Sequence, residues 1–96
     1  MKMLMLVYSG SRPQRISSLL DAHHAGGYTE FRNAHGVGAT GKREGSRAWP
    51  GDSTLFLSVV PEAQSEPLVE TLRTEAARMP VGERLHVAVL PSVTFF

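Results

Sequence analysis

Eighteen residues from His35 to Asp52, HGVGATGKREGSRAWPGD, hold five of the chain's nine glycines. The same stretch carries three cations, Lys42, Arg43 and Arg47, against two acids, Glu44 and Asp52. Glycine reaches positive φ without strain and lets a ligand lie close against backbone. Guanidinium and ammonium groups grip phosphate or carboxylate oxygens. The chemistry that this combination supports is anion binding by a mobile loop spanning about residues 39–53. His35 stands beside the glycines as a ligand contact. Trp49, the loop's one aromatic, either stacks on a ligand or partner or pins the loop to the body.

Two phosphate-binding patterns almost fit. Gly36-Val37-Gly38-Ala39-Thr40-Gly41 satisfies G-x-G-x-x-G, and extension to Lys42 satisfies G-x-x-x-x-G-K. Both need a helix opening directly after the glycines, with its N-terminus facing the phosphates. Gly45, Pro50 and Gly51 break any such helix, and Arg43 stands where the second pattern needs a magnesium-binding hydroxyl. Neither motif is complete. What survives of both is backbone amides and a cation around an anion.

The histidines point to no second chemistry of comparable weight. His23 and His24 are adjacent and point apart on a helix. His35 and His86 stand alone, no His-x-His or His-x-x-x-His spacing occurs, and there is no cysteine. That spacing does not make a metal site. No carboxylate pair or catalytic triad is visible. An enzyme would have to use His23, His35 or His86 as an acid–base group in an apolar pocket.

Composition bounds the rest. Ninety-six residues with 42% hydrophobic and 20% charged content make one globular domain, 1–96. A net charge of +1 gives no argument for nucleic acid or a membrane surface. The apolar run Met1 to Tyr8 is too short for a signal peptide, and turn residues follow it instead of a cleavage site. The expected location is the cytoplasm.

The elements that must position the loop follow from periodicity. Met3 to Tyr8 is a short apolar strand. Ser11 and Pro13 open a helix whose inner face is Ile16, Leu19, Leu20 and His23, with Arg15, Ser18 and Asp21 facing away, and Gly26-Gly27 ends it. Tyr28 to Val37 reads as a second strand with imperfect alternation, and Thr54 to Val60 as a third. Ser65, with Pro67 just inside, opens a second helix with the face Leu68, Val69, Leu72, Ala76 and Met79. Glu62, Glu66, Glu70 and Glu75 read as its solvated side. Leu85 to Leu90 is the fourth strand, and the two final phenylalanines need cover.

The order βαββαβ predicts an α+β, ferredoxin-like domain: an antiparallel four-stranded sheet with both helices on one face. Met3, Met5, Leu55, Leu57 and Val59 supply more apolar surface than one helical layer covers. An oligomer that stacks its sheets is therefore expected.

This order, together with His35-Gly36-Val37-Gly38, Gly45-Ser46-Arg47-Ala48-Trp49-Pro50-Gly51, Val60-Pro61 and Gly82-Glu83-Arg84-Leu85, resembles the P-II superfamily of trimeric signalling proteins. The match is nearest to its divergent P-II-like subgroup. The resemblance implies a homotrimer that binds an adenine nucleotide (ATP, ADP or AMP) or a small anion such as bicarbonate between subunits, with no covalent cofactor and no catalysis. It places Gly36, Val37 and Gly38 on one wall of the cleft and Gly82, Glu83 and Arg84 on the other, with Arg84 on phosphate. Lys42, Arg43 and Arg47 would close over the anionic end, and Trp49 would meet a partner such as a membrane transporter. The loop is shorter than in the nitrogen-regulatory members and has no tyrosine, Pro80 to Arg84 is abbreviated, and the tail lacks basic residues. These departures favour a ligand smaller than a triphosphate. Two other readings stay open: a small ferredoxin-like enzyme with a pocket inside one subunit, and a metal-handling trimer related to cation-tolerance proteins.

Overall fold

A computed structural model describes residues 1–23, 26–38, 41–42 and 53–96, with backbone only for Val37, Gly38, Gly41 and Lys42. The elements run β1 (Lys2–Ser9), α1 (Gln14–Ala22), β2 (Thr29–Ala34), β3 (Val37–Gly38), β4 (Gly41–Lys42), β5 (Ser53–Val60), α2 (Glu62–Ala77) and β6 (Arg84–Pro91). The main sheet has the order β2-β5-β1-β6 and is antiparallel throughout. β3 and β4 form a separate antiparallel pair, with Val37 opposite Lys42 and Gly38 opposite Gly41. The ferredoxin-like arrangement expected from the sequence is the observed one.

The period of two along each strand sorts the sheet into two faces. Leu4, Leu6 and Tyr8 of β1, Phe56 and Val60 of β5, and Leu85 of β6 are buried against Ile16 and Leu20 of α1 and Leu68 and Leu72 of α2. Both helices therefore lie on one face. The hydroxyl of Ser58, also on that face, donates to the Gly27 carbonyl at 2.8 Å, which satisfies a polar group the core would otherwise penalise. Tyr28 packs edge-on against Phe56, with ring centroids 5.9 Å apart, and anchors the entry to β2. On the opposite face Met3, Met5, Val7, Leu55, Leu57 and Val59 are only half-buried, and no layer of the described residues covers them.

Two of the boundaries that differ from the expected ones have a clear physical cause. β2 ends at Ala34 because its register with β5 shifts between Phe31 and Ala34, and Asn33 takes φ +58° there. Asparagine tolerates that left-handed conformation better than most residues, so the imperfect alternation is the mark of a bulge. α2 begins at Glu62, three residues before Ser65. Pro61 is its N-cap, with φ −60° and ψ +150°, and its carbonyl accepts from the amides of Gln64 and Ser65. Ser65 lies buried inside the helix with its hydroxyl on the Glu62 carbonyl, and Pro67 is an internal proline.

Candidate functional site

One row of residues runs across the end of the main sheet: Ala34, Ser53, Ser9 and Arg84 are partners in register. Gly36 follows β2 at one edge of this row, and Gly82 and Glu83 precede β6 at the other. Strands lie about 4.8 Å apart, so three steps put β2 and β6 about 14 Å from each other across the sheet. Both glycine-bearing segments thus sit at the same end of the molecule and at opposite edges.

Gly36 is exposed, and a Cβ added there would meet nothing within 4 Å, so the space beside it is open. Val37 and Gly38 form β3, and the backbone of Lys42 pairs with Val37 across the hairpin. Arg43, Arg47 and Trp49, with nearly all of the loop from 39 to 53, lie outside the described residues. Gly82 has φ +93°, and the Glu83 amide donates to the Pro80 carbonyl at 3.0 Å. That is a turn with positive φ at its third position, where glycine is favoured. Arg84 is exposed on the face of the sheet away from the helices, in the row with Ser9 and Ser53, whose hydroxyls are hydrogen-bonded at 2.8 Å.

Glu83 points the other way. Its carboxylate accepts the Tyr8 hydroxyl at 2.6 Å and the Arg15 guanidinium at 3.4 Å, and its side chain is 8% exposed. The Tyr8 oxygen in turn accepts the Arg12 amide at 3.0 Å. Burial and the bond to Glu83 push the Tyr8 phenol up to about 12. Arg15 carries the network on to Glu75, with Nη2 2.7 Å from Oε1. Arg15 and Glu75 are therefore not on freely solvated helix faces, as the sequence suggests; they hold the start of α1 to the end of α2. The glycine at position 10 leaves room for this cluster, because a Cβ there would lie 2.4 Å from the Tyr8 oxygen and 2.9 Å from Glu83 Cγ.

No sequence motif groups Tyr8, Gly10, Arg15 and Glu75, although one signal is present. A cation in the first turn of a helix and an anion in the last turn both oppose the macrodipole. Arg15 and Glu75 occupy those positions, which marks them as partners of something outside their own helices.

The histidines do not converge. The His23 ring bonds the Leu19 carbonyl through Nδ1 at 3.0 Å and the Thr71 hydroxyl through Nε2 at 3.3 Å, joining α1 to α2. His35 and His86 are exposed, and His24 lies outside the described residues. Among the described residues no group of three or more His, Asp or Glu is placed to hold a metal ion. A cleft of about 360 Å³ opens at the far end of the sheet, between Met3, Tyr28, Leu57 and Phe95, and no histidine lines it. It is remote from the row that contains Arg84. No helix among the described residues is long and apolar enough to cross a membrane.

The fold is similar to solved structures of PII-like proteins. CPII from Thiomonas intermedia K12, a nitrogen regulatory PII-like protein, is 21% identical in its apo form with a TM-score of 0.66, the match covering 93% of this chain and 87% of that one. CPII bound to ADP and bicarbonate is 25% identical with a TM-score of 0.67, covering 93% of this chain and 84% of that one. A PII-like signalling protein from Thermus thermophilus is 23% identical with a TM-score of 0.62, covering 93% of this chain and 85% of that one. No family model and no curated relative matches the chain. The PII-like resemblance of the sequence holds in the fold of the chain.

Proposed function

We propose that this chain is a PII-like regulatory protein that binds an adenine nucleotide or small anion in clefts between copies of itself, without catalysis. The observation that carries the reading is the placement of Gly36–Gly38 and Gly82–Arg84 at one end of the sheet but at opposite edges. A single chain holds the two walls about 14 Å apart across the sheet. A neighbouring copy stacked on the uncovered apolar face brings one chain's β2 edge to the other's β6 edge, and three copies close the ring. Arg84 lies at the rim of that face, placed to take an anionic group from the cleft. The binding of ADP, AMP, bicarbonate and acetate by CPII supports the ligand class.

In this reading Gly36, Val37 and Gly38 wall the ligand on one side, Gly82 and Arg84 face it from the other, and Lys42, Arg43 and Arg47 contact its anionic end. Ligand contact changes the surface that the loop offers to a partner such as a membrane transporter, with Trp49 as the contact. Calorimetric titration with ATP, ADP, AMP and bicarbonate tests the proposal. Saturable heat is expected for at least one of them, without turnover, and Arg84→Ala lowers the affinity about 10-fold or more, the scale of one lost charge-assisted contact. No heat from any of the four removes the main support for the reading.

A further inference from the structure

We infer that Glu83 is a positioning residue for Arg84, holding it through a clamp that joins the Gly82–Arg84 segment to both helices. The inference rests on the proposed role of Arg84 in anion binding. It replaces the ligand contact that the sequence suggests for Glu83 with a different job.

Neighbouring residues on an extended backbone point to opposite sides. Leu85 is buried against the helices, so Arg84 faces the uncovered side and Glu83 faces the helices again. On that inner side two groups from other elements meet the Glu83 carboxylate. The Tyr8 hydroxyl reaches it from the end of β1 at 2.6 Å, and Arg15 reaches it from the first turn of α1 at 3.4 Å. Arg15 also grips Glu75 in the last turn of α2 at 2.7 Å. The Arg12 amide fixes the Tyr8 oxygen from the turn before α1.

The cluster is built for this contact. Arg15 and Glu75 each sit at the unfavourable end of a helix dipole, and Gly10 omits the one Cβ that would collide with Tyr8 and Glu83. Among the described residues Arg84 has no such support on its own side. Its neighbour across the ladder is Ser9, whose hydroxyl is engaged with Ser53. Besides the ladder with β1 and the Pro80–Glu83 turn, what holds the backbone from which Arg84 projects is therefore the side chain of the preceding residue. A guanidinium that must meet an anion from a second copy gains from a fixed origin, because less freedom is then lost on binding. Through Arg15 the same clamp ties that origin to the relative position of α1 and α2.

The test is an ADP titration of the protein and its Glu83→Gln, Arg84→Ala and double variants, with amide hydrogen exchange at residues 82–85 measured without ligand. Glu83→Gln keeps the shape but removes the charge that Arg15 and Tyr8 address. Affinity is expected to fall about 3- to 30-fold, within the range of coupling between residues in one network. Exchange at residues 82–85 speeds up. In the Arg84→Ala background the same change costs little further affinity, because Glu83 works through Arg84. Tyr8→Phe, which removes one hydroxyl, guards against a Gln variant that folds poorly and is expected to shift both readouts in the same direction by less. If Glu83→Gln and Tyr8→Phe bind ADP like the parent while Arg84→Ala binds weakly, the inference falls and the proposed function stands. An undiminished Glu83→Gln effect in the Arg84→Ala background also overturns it, since Glu83 then meets the ligand itself. If the parent and Arg84→Ala bind equally, the proposed function falls and takes the inference with it.

Discussion

At Gly10 the chain runs so close to the Tyr8 ring that no side chain fits. A methyl group there would lie 2.4 Å from the Tyr8 oxygen and 2.7 Å from its ring carbon, and both belong to a stiff aromatic that has no room to move in a closed core. Gly10→Ala is expected to destabilise the fold by about 1–3 kcal/mol, the usual cost of overpacking, as a lower urea midpoint with an unchanged slope. Tyr8 itself makes stability depend on pH at the alkaline end. Below pH 10 the phenol is protonated in both the folded and the unfolded chain; between 10 and about 12 the unfolded chain has released the proton while the fold retains it. Unfolding then releases a proton, so stability falls as pH rises through that window. Urea midpoints collected from pH 9 to 12 should show a steeper decline in the parent than in Tyr8→Phe. The variant should be less stable at neutral pH by about 1–2 kcal/mol, because Glu83 loses a donor.

Within single elements, α2 contains a residue that works against it. Pro67 is the sixth residue of a sixteen-residue helix, past the first turn where a missing amide costs nothing. It cannot donate to the Ala63 carbonyl, and its ring crowds the preceding turn. Pro67→Ala is expected to stabilise the protein by about 1–3 kcal/mol, seen as a raised melting temperature with unchanged helical content. The same proline makes the sequence suggest a later start for α2 than the structure has. Ser65 followed by Pro67 has the form of a cap and first turn, whereas burial of Leu68 and Leu72 and the extended Pro61 settle the boundary three residues earlier. Bulk patterning was legible: every strand and both helices of the main fold follow from apolar periodicity and from glycine and proline stops. The bulge at Asn33 showed in the sequence only as imperfect alternation, because a register shift depends on pairing with β5. Gly36–Gly38 and Gly82–Arg84 stand out in the sequence as candidate site segments through their glycines and charge. The inward turn of Glu83 does not, although carrying the period of two back from Leu85 puts it on the buried side. Its partners Tyr8, Arg15 and Glu75 are distant in sequence, and only the fold assembles them.

For the molecule as a whole, the decisive feature is the sheet face opposite the helices. Met3, Met5 and Val7 of β1 and Leu55, Leu57 and Val59 of β5 share it. Phe31 and Leu90, on the flanking strands, remain 48% and 38% exposed. The tail adds Phe95, 62% exposed, which lines a cleft with Met3, Leu57 and Val59. A contiguous apolar surface of this kind marks an interface, and burying one large aliphatic side chain in it contributes about 1.5–3 kcal/mol. Leu57 sits centrally, between Met5 of β1 and Thr29 of β2. In the proposed stacking of sheet faces, Leu57→Glu would bring an unpaired carboxylate between the copies, which costs far more than the lost packing. In the separated chain the same carboxylate meets water, and the core on the other face is untouched. The parent should sediment as an oligomer, with three copies expected, and Leu57→Glu as a monomer with the parent's circular dichroism. The monomeric variant should also lose ADP binding, although Leu57 lies well along β5 from Ser53 and the row that ends at Arg84. A parent that sediments as a single chain at micromolar concentration would leave Gly36–Gly38 and Arg84 at opposite edges of one sheet, with no second copy to complete the cleft.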